Sequence, residues 1–77
     1  MEIDTEKIDE AILALLYLTL HEDCRAWKSF DWDAMNRLHE KGFISNPVGK
    51  AKSVLLTESG LPESERLFHK LFAKDKA

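Results

Sequence analysis

Apolar residues recur at helical spacing along the first third of the chain. Ile8, Ile12, Leu15, Leu16 and Thr19 make one stripe, and Leu13, Tyr17, Leu20 and Cys24 make a second. Steps of three and four residues put each set on one side of a 3.6-residue helix, so the pattern predicts a helix from about Asp4 to His21. Asp4 is a good N-cap, and Ile3 and Ile8 stand where a hydrophobic staple would close the first turn. Glu6, Asp9 and Glu10 fall near the positive end of the helix dipole, which carboxylates stabilise. Two stripes require cover on more than one side. The later elements of the chain supply it in one reading, and a second subunit in the other.

Residues 22–30 show no clean period. Ala26, Trp27 and Phe30 are apolar enough to predict a short helical turn packed on the core, with Trp27 and Phe30 inward. Asp31 then caps a second helix, with Phe30 and Met35 placed for another staple. Met35 and Leu38 continue its inner face, with Ala34 beside them. Gly42 stands at the position where a left-handed residue ends a helix. Phe43–Ser45 reads as a short strand, Asn46-Pro47-Val48-Gly49 as a turn, and Ser53–Thr57 as the returning strand with Val54 and Leu56 on one face. A third helix is expected from Pro62 to Lys74, with Leu67, Phe68, Leu71 and Phe72 inward and Pro62 at its first position.

Two pieces of this pattern carry a family resemblance. Leu38-x-x-Lys41-Gly42-Phe43-Ile44 ends the second helix, and Leu56-Thr57-Glu58-x-Gly60 leads into the third. From Asp33 to Leu71 the chain resembles the second half of winged helix-turn-helix repressors of the PadR-like and MarR-like kind. That resemblance implies an α+β fold: a small winged-helix domain over residues 1–77, with three main helices plus a β-hairpin wing. It also implies a DNA-binding transcriptional regulator that uses helix 31–42 and wing 43–57. Pro62 and the acidic Asp31-Trp32-Asp33 depart from the repressor pattern. Over nearly its full length the chain is also similar to a family of short bacterial proteins without an assigned function.

Seventy-seven residues suffice for one core and no second. The lone Cys24 offers no disulfide framework, which suits a reducing cytoplasm. The acidic start does not read as a signal peptide, and the apolar run Ala11–Leu20 is too short to span a bilayer. The net charge of −3 is unevenly spread. Residues 1–24 hold Lys7 against Glu2, Asp4, Glu6, Asp9, Glu10, Glu22 and Asp23. Residues 25–52 hold Arg25, Lys28, Arg37, Lys41, Lys50 and Lys52 against Asp31, Asp33 and Glu40.

These features support an interaction module rather than an enzyme. Protein–protein contact or homodimerisation is the leading expectation, with Leu13, Tyr17, Leu20 and Trp32 as candidate interface residues. DNA binding is the alternative. There Arg37 would reach a base edge, and Lys41, Lys50 and Lys52 would touch phosphate. His21, Glu22, Asp23 and Cys24 are the one dense set of reactive side chains. They lack the further ligands that a zinc site needs, with His39 and His69 standing apart, so no metal, cofactor or small-molecule substrate is expected.

Overall fold

Asp4 starts the first helix by accepting the backbone N–H groups of Glu6 and Lys7 on one carboxylate oxygen, at 3.0 and 3.2 Å. This helix, α1, covers Thr5–Leu18. Ile3 and Ile8 are both exposed, so the staple read from them buries little. The computed structural model describes residues 1–74; residues 75–77, the end of the expected domain, lie outside the described residues. α1 stops a turn earlier than its period suggested. The Thr19 hydroxyl bonds back to the Leu16 carbonyl, and the chain then reverses. His21 and Arg25 exchange backbone hydrogen bonds of 2.7 and 2.9 Å across a tight turn. Glu22 and Asp23 hold positive φ angles of 45° and 70° within it.

That reversal corrects the expected helical turn at Ala26–Phe30. Arg25–Trp27 is a strand, β1, with Ala26 buried between two outward side chains. Three residues alternating out, in and out carry too short a period to be distinguished from irregular chain by sequence alone. Asp31 accepts the Ala34 N–H and caps α2, Trp32–Glu40. α1 and α2 are therefore joined by residues 19–31, which carry a strand, and not by the short turn of a helix-turn-helix.

At the end of α2 the Phe43 N–H reaches the Leu38 carbonyl and the Gly42 N–H reaches that of His39, a Schellman closure. Gly42 has the positive φ, 81°, that this closure requires. β2, Ser53–Leu55, pairs antiparallel with β1, in the register Arg25↔Leu55, Ala26↔Val54, Trp27↔Ser53. The expected hairpin between Phe43–Ser45 and Ser53–Thr57 is reduced to one bridge, Ile44↔Leu56, on the other edge of β2. Its ladder cannot extend. Pro47 has no N–H to give, and Leu55 donates to the Ser45 hydroxyl instead of to backbone.

α3 runs Gly60–Phe72, so Pro62 falls inside its first turn, where a missing N–H costs nothing. It lies antiparallel to α1: Leu20 meets Leu61 and Pro62, while Tyr17 meets Glu65 and Phe68. The core joins Leu13 and Leu16 of α1, Met35 and Leu38 of α2, Leu67 of α3, and Ala26, Ile44, Val54 and Leu56 from the sheet side. α1 is central, and the later elements cover its Ile12, Leu13, Ala14 and Leu16 side. Leu71 and Phe72 depart from expectation: both are exposed, and only Leu67 and the half-buried Phe68 face inward. The architecture is a small α+β arrangement of three helices and a two-stranded antiparallel sheet.

Candidate functional site

Asp9 stands in the middle of the apolar face of α1, with Ile12, Leu13 and Leu16 one and two turns ahead on the same side. It is 1% exposed. An isolated carboxylate there would be costly, and two cations of α2 and its C-terminus neutralise it. Arg37 Nε donates to Asp9 Oδ2 at 2.8 Å and to Oδ1 at 3.1 Å, and Nη2 donates to Oδ1 at 2.8 Å. Lys41 Nζ donates to Oδ2 at 3.1 Å. Burial pushes the Asp9 carboxyl pKa upward, but the hydrogen bonds and charges of Arg37 and Lys41 outweigh it and hold the net value below the ordinary range. The cluster links α1 to α2.

The four cations read as a DNA face are therefore divided. Arg37 and Lys41 converge on Asp9, whereas Lys50 and Lys52 line a cleft of about 430 Å³ with Trp27, Lys28, Phe30 and Trp32. Lys28 Nζ donates to the carbonyls of Pro47 and Gly49, at 2.7 and 3.0 Å, and so ties the 47–52 loop beside β1. Among the described residues, Lys50 and Lys52 enter no ion pair or side-chain hydrogen bond. Trp27 is 49% exposed and Trp32 57% exposed. The outward Trp27 corrects the expectation that it packs beneath the α1–α2 connection. Its indole instead stacks on the His21 ring, with centroids 4.5 Å apart.

The expected protein-contact residues are also redistributed. Leu13 is buried in the core and offers no surface. Tyr17 and Leu20 line a second cleft, about 320 Å³, between α1 and the start of α3. Tyr17 packs on Phe68, and its hydroxyl donates to Glu65 at 3.4 Å. The Glu65 charge, desolvation and that bond together push the phenol pKa up. Only Trp32 is openly exposed. The apolar side of α1 left toward solvent is neither expected stripe: Ile8 and Leu15 come from the first, Ala11 and Leu18 from neither, and Ile12 and Leu16 of the first are buried. Ile8 and Leu18 are 37% and 65% exposed, and Ala11 and Leu15 between them are half-buried.

Among the described residues, no three His, Cys, Asp or Glu side chains gather as metal ligands. His21 is turned to the Thr19 carbonyl and the Trp27 ring, and His39 to the Ile44 carbonyl. No helix of the described residues is long and apolar enough to cross a membrane.

Two features escaped the sequence reading. Asp9 fits a helix-dipole charge by position, although its place within the Ile12–Leu13–Leu16 face is itself a signal that it needs a partner. Lys28 had no signal, because its role depends on where a distant loop lies.

A small α+β frame with an internal ion cluster, a cationic aromatic cleft and an apolar helix stripe defines the class of molecule. The chain belongs to the family described as "Domain of unknown function (DUF6429)", whose pattern it matches over residues 4–74. It is similar to "Uncharacterized protein y4hR" of Sinorhizobium fredii (strain NBRC 101917 / NGR234), with 58% identity over 74 residues, 96% of this chain and 100% of that protein. No solved structure matches the chain.

Proposed function

We propose that the chain is a non-enzymatic protein-contact module that pairs with a second copy through the outer stripe of α1. The carrying observation is the stripe itself: Ile8, Ala11, Leu15 and Leu18 follow one another at steps of three and four, left to solvent by the packing of α2 and α3. The stripe is self-complementary. In an antiparallel two-fold pairing Ile8 faces Leu18 of the partner subunit and Ala11 faces Leu15 of the partner subunit, so each bulky Leu15 meets a small residue. A closed two-fold dimer needs such a patch, matching its own copy. One helix stripe buries less than the roughly 800 Å² per partner of a stable interface. Leu71 and Phe72 at the end of α3 are exposed as well, with Phe72 against Phe68.

The frame itself reads as a reduced winged helix, with α2 ending at Gly42, the 43–57 segment returning beside it, and α3 following. Duplex recognition through α2 has less support. Arg37 would have to release both Asp9 oxygens to reach a base edge, stranding a buried carboxylate. A cytoplasmic setting fits the single half-buried thiol, Cys24. Light scattering tests the pairing. The reading expects twice the chain mass at micromolar concentration and above, and a monomer at high concentration rejects it.

A further inference from the structure

The outer face of the β1–β2 pair and the cleft beside it combine aromatic and basic side chains. Arg25 and Trp27 point outward from β1, Ser53 and Leu55 from β2, and Leu55 is exposed. Trp27 is stacked on His21 at an interplanar angle of 29°, so its free face is presented at reduced entropic cost. Trp32 flanks the same cleft from the first residue of α2. Both tryptophans of the chain thus meet in one cleft.

The charged side chains that line the cleft are of one sign. Lys28, Lys50 and Lys52 line the cleft, and no carboxylate does. Lys28 has used two donors on the 47–49 carbonyls, while Lys50 and Lys52 are uncommitted. Of the nearest acids, Asp31 accepts the Ala34 N–H as the cap of α2, and Glu22 pairs with Arg25 at 3.2 Å. A volume of about 430 Å³ falls within the roughly 300–1,000 Å³ of small-ligand sites, enough for one base with its sugar.

We propose that this cleft and the adjoining outer sheet face bind single-stranded nucleic acid, with bases stacking on Trp27 and Trp32 and phosphates meeting Lys50 and Lys52. Exposed aromatic faces beside free lysines match what a single strand offers: unpaired π-faces on a charged backbone. A duplex keeps its bases stacked and would leave the indoles without a partner. An acidic peptide satisfies the lysines but gives the two aromatic faces nothing planar to stack on. The site shares no residue with the α1 stripe and does not depend on pairing between copies.

Because both tryptophans lie in the cleft, intrinsic fluorescence reads it directly. The probe is a deoxythymidine oligomer of ~8 nucleotides, within the span of such sites. The expected result at low salt is saturable quenching, with a logarithmic salt slope of about −1.4 for two phosphate contacts. Trp32→Ala weakens binding about tenfold or more and Trp32→Phe restores most of it, as stacking requires. Lys50→Gln with Lys52→Gln flattens the salt slope. Absence of saturable quenching at low salt overturns the proposal. So does equal competition by a blunt duplex or by polyglutamate, or indifference of binding to both Trp27→Ala and Trp32→Ala. Circular dichroism checks that each variant is folded, and the exposure of both rings predicts that it is.

Discussion

The α-carbon of Gly60 rests against the carbonyl of Phe43, so closely that a Cβ at Gly60 would overlap the Phe43 oxygen and carbon. Around this contact the Thr57 and Ser59 hydroxyls both donate to the Gly42 carbonyl, and the Gly60 N–H donates to Thr57 Oγ1 at 3.0 Å. The Thr57 N–H closes on the Phe43 carbonyl at 3.0 Å. The Lys41-Gly42-Phe43-Ile44 and Leu56-Thr57-Glu58-Ser59-Gly60 segments are therefore two halves of one joint, which fixes the end of α2 to the start of α3.

Gly60→Ala tests that joint. The colliding atoms are backbone and cannot step aside as a side chain would, so overpacking costs about 1–3 kcal/mol. Urea denaturation should show the midpoint falling with the slope unchanged. A variant as stable as the parent would show that the α2 and α3 ends are not locked together.

The Asp9 cluster predicts an acid sensitivity with a definite sign. The folded carboxyl lies below its ordinary value because Arg37 and Lys41 overcome the effect of burial. The unfolded chain therefore takes up the proton first. Stability from this group is complete above the unfolded pKa, about 3.9, and is lost as pH falls through the lower folded value. Asp9→Asn should cost about 2 kcal/mol at neutral pH, the scale of hydrogen bonds to charged groups. The gap between variant and parent should close as pH drops from about 5 toward 2. A pH-independent gap would contradict the cluster's role. Arg37→Met should be more damaging than Lys41→Met, since Arg37 supplies three of the four hydrogen bonds that Asp9 receives.

Asp23 predicts a gain. It holds a φ of 70° in the reversal before β1 and makes no side-chain hydrogen bond or ion pair among the described residues. Glycine occupies that region without the Cβ penalty of about 1 kcal/mol, partly offset by its freedom in the unfolded chain. Asp23→Gly should raise thermal stability by a few tenths of a kcal/mol to about 1. A loss of stability would show that the turn is not held left-handed in solution.

Local signals in the chain gave the helices and missed the sheet. Asp4, Asp31 and Gly42 announce helix ends through groups that act within a few residues, and each acts as read. β1 has no local signal: Arg25-Ala26-Trp27 becomes a strand because Val54 and its neighbours, far along the chain, supply the ladder. The same distance hid the cleft, which forms only when Lys28 gathers the 47–49 loop. Periodicity found the Tyr17 side of α1 that α3 covers but not the open side, where Ile8 and Leu15 of the first stripe stand with Ala11 and Leu18, which belong to neither stripe.

Pairing of two copies along that open side of α1 can be read by cross-linking. Ile8→Cys and Leu18→Cys are combined in a Cys24→Ser background and oxidised mildly. Within one chain the two new thiols are about 15 Å apart along the helix and cannot join. In the antiparallel pair each faces its counterpart on the partner subunit. The expected product is a covalent dimer that reduction dissolves and that neither single cysteine gives. A chain that stays monomeric after full oxidation, or single-cysteine variants that cross-link as well, would contradict it.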